Sequence, residues 1–332
     1  MKTIRVAMRH AAFAAVCVCV LWSGLASAQG SAASFPAKPI TIVLTFPPGG
    51  PADAETRMYT PLFQAELGQT VLVENKGGAG GAIATSYVAK APPDGYTVLS
   101  VSTGFTIVPA FHASGPYDPV KDFAPISLFS RRSAMLLVHP SLGVKSFPEY
   151  IAYAKSNPGA INYGTAGPGS ALHIAGAWLH SGFNTNATFV HYKGAGPLYT
   201  DLLAGRVNAA GALLFTGMPF VKAGKLIPIA NMGKERSKFL PDQKTIDEQG
   251  LPGYDYSSYA GYLVPAGTPA AIVNRLSAAW IKASRNPELL KRMEAEGAEV
   301  VGSTPEYFAR VIVEHAAVWK RVIRDNNIKL EE

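Results

Sequence analysis

The sequence predicts an α/β protein of two lobes with mixed, mostly parallel sheets. Three observations carry this. Apolar, β-branched runs alternate with helical stretches along the chain. The 332 residues are too many for one comfortable hydrophobic core. A strand that enters a glycine-proline turn and opens at once into a helix occurs twice, over residues 39–57 and 162–172.

The amino terminus reads as a cleavable export leader over residues 1–28. Lys2, Arg5 and Arg9 precede an apolar run over 11–21, and Ala26, Ser27 and Ala28 offer small residues for cleavage before Gln29. A retained membrane anchor is the rival reading, but the run falls short of the ~20 residues a spanning helix needs. Cys17 and Cys19, the only cysteines, lie inside the run, and Val16 is larger than the small residue that usually precedes a lipidated cysteine. The mature chain is therefore expected to be exported and to hold no thiol, disulfide or cysteine metal ligand. Cleavage takes three basic and no acidic residues from the formal +7, leaving +4. Scattered basic residues at that balance give no nucleic-acid footprint and suit an anionic solute.

After the leader, strands are expected over 40–46, 70–75 and 97–102, with helices between the first two and after Gly81. A second set comprises strands at 135–139, 161–165, 188–192, 207–210 and 226–230, with helices over 146–155, 170–181 and 197–204. The carboxy-terminal part reads as helical. Thr268 and Thr304 are expected to cap helices with Pro269 and Pro305 at their first positions, and Asn286-Pro287 begins a shorter helix closed by Gly297. Phe308, Val311, Ile312, Trp319 and Val322 form an apolar stripe expected to pack on the first lobe.

The two glycine turns carry the functional reading. In the first, Phe46, Pro47, Pro48, Gly49 and Gly50 contain no lysine, and neither a Walker sequence nor a full dinucleotide fingerprint follows. Backbone N–H groups of such a turn, with the positive end of the following helix, favour a small anion such as a carboxylate. The second turn, with Ser170 placed as a helix cap, offers a similar end. If the lobes face each other, donors from both converge on the gap and clamp one acidic molecule.

Several short segments then carry a family likeness: Phe35 to Ile40; the first turn with Asp53 and Arg57; Glu74-Asn75-Lys76-Gly77-Gly78-Ala79-Gly80-Gly81; Pro93-Asp94-Gly95-Tyr96-Thr97; Gly167 to Ser170 with His173; Tyr192-Lys193-Gly194; Asp201-Leu202-Leu203-Ala204-Gly205; Lys222-Ala223-Gly224-Lys225; and Gly250-Leu251-Pro252-Gly253-Tyr254. In this order the chain resembles the periplasmic solute-binding proteins of tripartite tricarboxylate transport systems, the Bordetella uptake gene (Bug, TctC-like) type. The resemblance implies a type II periplasmic binding protein fold joined by a two-stranded hinge, with crossovers near 130–134 and 253–258. Lobe 1 would hold 29–132 and 256–332, and lobe 2 would hold 133–255.

By the same resemblance a di-, tri- or aromatic carboxylate would sit against Phe46, Pro48, Gly49, Gly78, Gly80, Gly81, Ala82, Ser102 and Thr103 of the first lobe. Gly167, Gly169, Ser170, Ala171, His173, Tyr192, Gly194, Ala212 and, from the returning segment, Tyr259 would complete the site. The receptor would act as a monomer, without cofactor or metal, and pass its solute to a large and a small membrane subunit. Ala212 and Leu213 stand where many members carry Asp-Asn, which disfavours a solute bearing an amine. Thr45 replaces a common proline.

Plainer readings stand beside these. Asp53 at about the third helical position suits a local pair with Arg57 better than a solute contact. His173 either touches the solute or makes a structural hydrogen bond, Lys193 either attracts anions or is a solvated loop residue, and Tyr192 and Tyr259 either stack on an aromatic acid or pack under loops. Phe46 either walls the solute or fills the lobe core. An exported serine hydrolase using Ser170 and His173 is a rival, but GxSxG is absent. A periplasmic sensor that signals to a partner is another rival, which the sequence does not separate from a transport receptor.

Overall fold

The computed structural model describes residues 35–49, 51–111, 115–295 and 297–328, so the expected leader lies outside the described residues. In the first lobe, β1 (Ile40–Leu44) pairs in parallel with β2 (Val71–Asn75) and β3 (Thr97–Ser102), joined by α1 (Pro51–Leu67) and α2 (Ala82–Ala89). In the second, β5 (Ile161–Thr165) pairs in parallel with β6 (Ala187–His191) and β7 (Ala209–Leu213), joined by α5 (Ala171–Gly182) and α6 (Ala195–Leu203). The short α3 (Gly104–Ile107) follows β3, and α4 (Phe147–Ser156) precedes β5. The Ser146 hydroxyl accepts from the Glu149 amide and caps α4, so this residue, expected as the first of the helix, stands just before it.

Two longer strands join these halves. β4 (Phe123–Val138) pairs antiparallel with β9 (Ser257–Pro265) from Phe123 opposite Pro265 to Ser133 opposite Ser257. From Ala134 to Val138 it pairs instead with Leu213 to Ala209 of β7. One continuous strand thus leaves the first lobe and enters the second at Ser133 and Ala134. With β8 (Ile227–Asn231) and β10 (Ala298–Val300) also on β4, the described residues form one ten-stranded sheet. Every ladder of β4 and β9 is antiparallel, while the parallel pairs stay within the βα units, so the sheet is mixed.

The helical tail departs from its sequence reading in two places. α8 (Ala270–Ala283) begins one residue later than expected: Pro269 takes the cap position and the Thr268 hydroxyl donates to the Pro265 carbonyl instead. In α9 (Pro287–Ala295) and α10 (Pro305–Asp325) the caps stand as read, with Asn286 Oδ1 accepting from Leu289 N and Thr304 Oγ1 from Tyr307 N. The α10 stripe, however, serves both lobes. Phe308, Val311 and Ile312 pack with first-lobe residues, whereas Trp319, Val322 and Ile323 belong to a core with Trp178 and Tyr254 of the second lobe. The helix is 21 residues long and reaches across the join, which an apolar stripe alone does not reveal. Phe63 stacked on Trp280 at 4.0 Å anchors the other face of the first-lobe sheet.

Candidate functional site

The turn after β1 is held from behind. Asp53 Oδ2 accepts the Gly49 amide at 2.9 Å, and Oδ1 accepts Arg57 Nε at 2.9 Å and Asn75 Nδ2 at 3.0 Å. The Gly49 amide first, then Arg57, holds the Asp53 carboxyl down at about 2. The local Asp53–Arg57 pair is therefore formed, and the carboxylate fixes the loop. Asn75 Nδ2 also donates to the Phe46 carbonyl, at 3.1 Å.

The second first-lobe loop packs directly onto that turn. A Cβ at Gly77 would lie 2.9 Å from Pro47 N, so only glycine lets the two loops meet. At Gly80 φ is +63°, and a Cβ there would lie 3.0 Å from Val108 Cγ2. Thr103, expected at the strand end, is buried; its hydroxyl donates to Ser257 O and accepts Tyr259 N–H, tying β3 to β9.

Most of the amides that the sequence assigns to a solute already have partners inside the protein. Gly49 donates to Asp53, Gly81 to Gly78 O, Ala82 to Ala79 O, Ser170 to Gly167 O, and Gly194 to Ala166 O. Gly167 donates to Thr165 Oγ1 and Gly169 to His173 Nδ1. The amides of Gly78, Gly80 and Ala171 are not so engaged among the described residues.

In the second lobe the expected residues form a tight local cluster. Ser170 Oγ accepts the His173 amide, which makes it the cap of α5. His173 is buried against Phe189 and His191 and holds the Gly169 amide, the structural alternative of the sequence reading. Burial, and then His191, pull its imidazole down to about 4. The Tyr192 hydroxyl donates to Asp201 Oδ2 at 2.8 Å, and Asp201 is paired with Arg206. Ala212 is buried in a core with Met135 and Leu137, so its side chain lies away from any cleft.

One cavity of about 380 Å³ is lined by both lobes. Phe46, Pro47, Ala52, Thr56, Ser100 and Ser102 come from the first, and Leu213 and Phe215 from the second. Phe215 lies in α7 (Leu214–Lys222), which follows β7 directly. Tyr259 contributes to the wall from β9, but its ring turns inward onto Phe308 and His315. Of the expected site residues the cavity thus gathers Phe46, Ser102 and Tyr259; the Gly167 to Ala171 turn, Tyr192 and Gly194 do not line it.

The sequence reading missed two charged residues in the same wall, Glu55 and Arg132. They form a buried ion pair through Arg132 Nη1 and Glu55 Oε2. Glu55 also accepts hydrogen bonds from the Tyr59 hydroxyl and from Ser130 Oγ, the latter at 2.7 Å. Burial and the Glu55 charge raise the Tyr59 hydroxyl far above its ordinary range, so it stays a donor. Arg132 also lies over the Phe215 ring, 5.9 Å from its centroid. Neighbouring Arg131 falls on the other side of the strand and donates to Tyr307. A signal was present: an Arg-Arg pair in an otherwise apolar strand-length run is costly unless partnered.

The profile of the tripartite tricarboxylate transporter family receptors (TctC) matches residues 57–328. This chain belongs to that family. The receptor is 30% identical to the protein BugT of Bordetella pertussis over 324 residues, covering 96% of this chain and 98% of BugT. Among solved structures, the receptor matches an R. palustris protein described with adipate at 31% identity and a TM-score of 0.71, covering 90% of this chain and 100% of that one. It matches MatC from Rhodopseudomonas palustris, described with bound malate, at 30% identity and a TM-score of 0.68, covering 87% and 100%. The receptor therefore has the two-lobe periplasmic binding protein fold. No helix among its described residues is long and apolar enough to cross a membrane.

Proposed function

We propose that this receptor is exported by cleavage of residues 1–28, captures a small carboxylate between its lobes in the periplasm, and delivers it unchanged to the large and small membrane subunits of a tripartite transporter. The observation that carries this reading is the cavity walled by Phe46 and Ser102 on one side and Leu213 and Phe215 on the other. A solute there touches both lobes, so its binding free energy favours the closed arrangement. The adipate and malate described with two relatives support an acidic solute.

In this reading lobe 1 comprises 29–132 and 256–332 and lobe 2 comprises 133–255, and the receptor acts as a monomer. The amides of Gly78, Gly80 and Ala171, which do not line the cavity in this structure, reach the solute only as the lobes close on it, while Asp53 and His173 keep their loops in shape. A thermal-shift screen of the mature protein against mono-, di- and tricarboxylates tests it. A true solute at 100 times its dissociation constant stabilises by about 2.7 kcal/mol. No shift with any carboxylate, alongside shifts with neutral compounds, refutes the reading. Loss of uptake of the identified acid in a strain lacking the receptor tests delivery.

A further inference from the structure

We infer that Phe215 sets the solute class of the interlobe cavity: facing Phe46 across the gap, it selects a monocarboxylate whose body is a single ring or a short hydrocarbon chain; this rests on the carboxylate-receptor reading above. The charged members of the wall among the described residues, Glu55 and Arg132, are paired with each other, and the Arg132 guanidinium also lies over the Phe215 ring. The cavity interior therefore offers no counter-charge to a solute. A carboxylate driven into it would lose its water without gaining a partner. The part of the solute that enters is the uncharged part.

Two rings stand open to receive it. Phe46 and Phe215 come from opposite lobes and are 37% and 41% exposed, whereas Phe63, Phe129 and Phe308 are fully buried. The backbone of Phe215 is seated: a Cβ at Gly297 would lie 3.2 Å from Phe215 Cβ, so the chain after α9 packs on the start of α7 while the ring stays in the cavity wall. A flat ring or short chain lying between Phe46 and Phe215 would cover both and, by touching each lobe, favour their closure. In about 380 Å³, near the small end of the ~300–1,000 Å³ typical of ligand sites, one such body fits, and a second carboxylate at its far end would face apolar surface. The acid end stays at the Phe46 rim. There the loop carrying Gly78 and Gly80, whose amides are not engaged among the described residues, packs through Gly77 onto the Phe46–Pro47 turn.

Calorimetry on the mature protein with benzoate, hexanoate, adipate, malate and benzamide tests this. Hexanoate and adipate differ by one carboxylate, and benzoate and benzamide by the charge of the acid end. Benzoate and hexanoate should bind about tenfold or more tightly than adipate, malate or benzamide. Phe215→Ala keeps the Cβ that Gly297 approaches, and it should weaken benzoate and hexanoate by about tenfold or more with cooperative unfolding retained. Phe215→Leu, which keeps an apolar side chain without the ring, carries the test if that variant does not fold: hexanoate should stay within about threefold of the parent while benzoate weakens by about fivefold. Adipate or malate as the tightest ligand, or undiminished benzoate affinity in the Phe215 variants, overturns the assignment and leaves the carboxylate receptor standing. Benzamide bound as tightly as benzoate, or no acid bound while neutral solutes are, overturns both.

Discussion

Replacing Asp53 with alanine removes the group that ties the first turn to its helix. Three hydrogen bonds are lost, from the Gly49 amide, Arg57 Nε and Asn75 Nδ2, the last of which keeps its bond to the Phe46 carbonyl. The carboxyl of Asp53 falls from an ordinary 3.8 to about 2 in the folded protein. That difference is worth about 2 kcal/mol at neutral pH, reduced toward ~1 kcal/mol by solvent screening of the half-exposed Arg57. Because the folded value lies below the unfolded one, the contribution is complete above about pH 4 and is lost as the pH falls through about 2. Urea unfolding should therefore show Asp53→Ala less stable than the parent by about 1–2 kcal/mol at neutral pH, with the gap narrowing to less than half near pH 2.5. A gap of the same size at both pH values refutes the argument that the ionised carboxylate does the holding.

Gly80→Asp should abolish carboxylate binding by placing a negative charge among the donors, whereas Gly80→Ala should cost ~1–2 kcal/mol of stability through its left-handed φ and the Val108 contact while retaining measurable affinity; equal affinities for the two variants by calorimetry would count against the loop. His173 and His180 are both pulled down to about 4, chiefly by burial. Each stays neutral in the folded state while the unfolded chain takes up protons, so stability should fall as the pH drops from about 6.5 to about 4. Imidazole NMR titration checks this directly, and an imidazolium signal for either residue near pH 6 contradicts it. Trp319→Ala should cost ~3–5 kcal/mol, since the ring is fully buried against Trp178. Because the helix serves both cores, calorimetric unfolding should remain a single transition shifted downward, and loss of one lobe alone would argue otherwise.

The βα units were legible because their strands end in glycine turns and their helices carry caps; Ser170, Asn286 and Thr304 behave as read. The first part of β4 was not. From Phe123 to Ser133 it lies inside the sheet, buried without a two-residue alternation, and Pro125 within it reads as a breaker. α7 was hidden by Gly217 and Pro219, and with it Phe215.

The sequence singled out a pair of glycine loops, and the first of them contributes Phe46 and Pro47 to the interlobe cavity wall. Which amides remain available depended on side chains placed by the fold, such as Asp53 and His173, whose acceptor atoms reach back over four residues. The Glu55–Arg132 pair spans 77 positions and needs α1 laid against β4, so its partners could not be matched by spacing. Ala212 shows the reverse error. It was weighed as a cleft position, yet the pleat of β7 turns its methyl toward Met135 and Leu137.

The last helix changes what opening and shutting can mean for this protein. A pair of strands alone would let the halves swing with little resistance. With Phe308 and Ile312 seated in one core and Trp319 and Ile323 in the other, α10 acts as a leaf spring laid across the joint. Any swing must flex that spring or slide its distal indole along Trp178, and both raise the elastic stiffness of the joint. The closure proposed for this receptor therefore has to move a helix rooted in both cores.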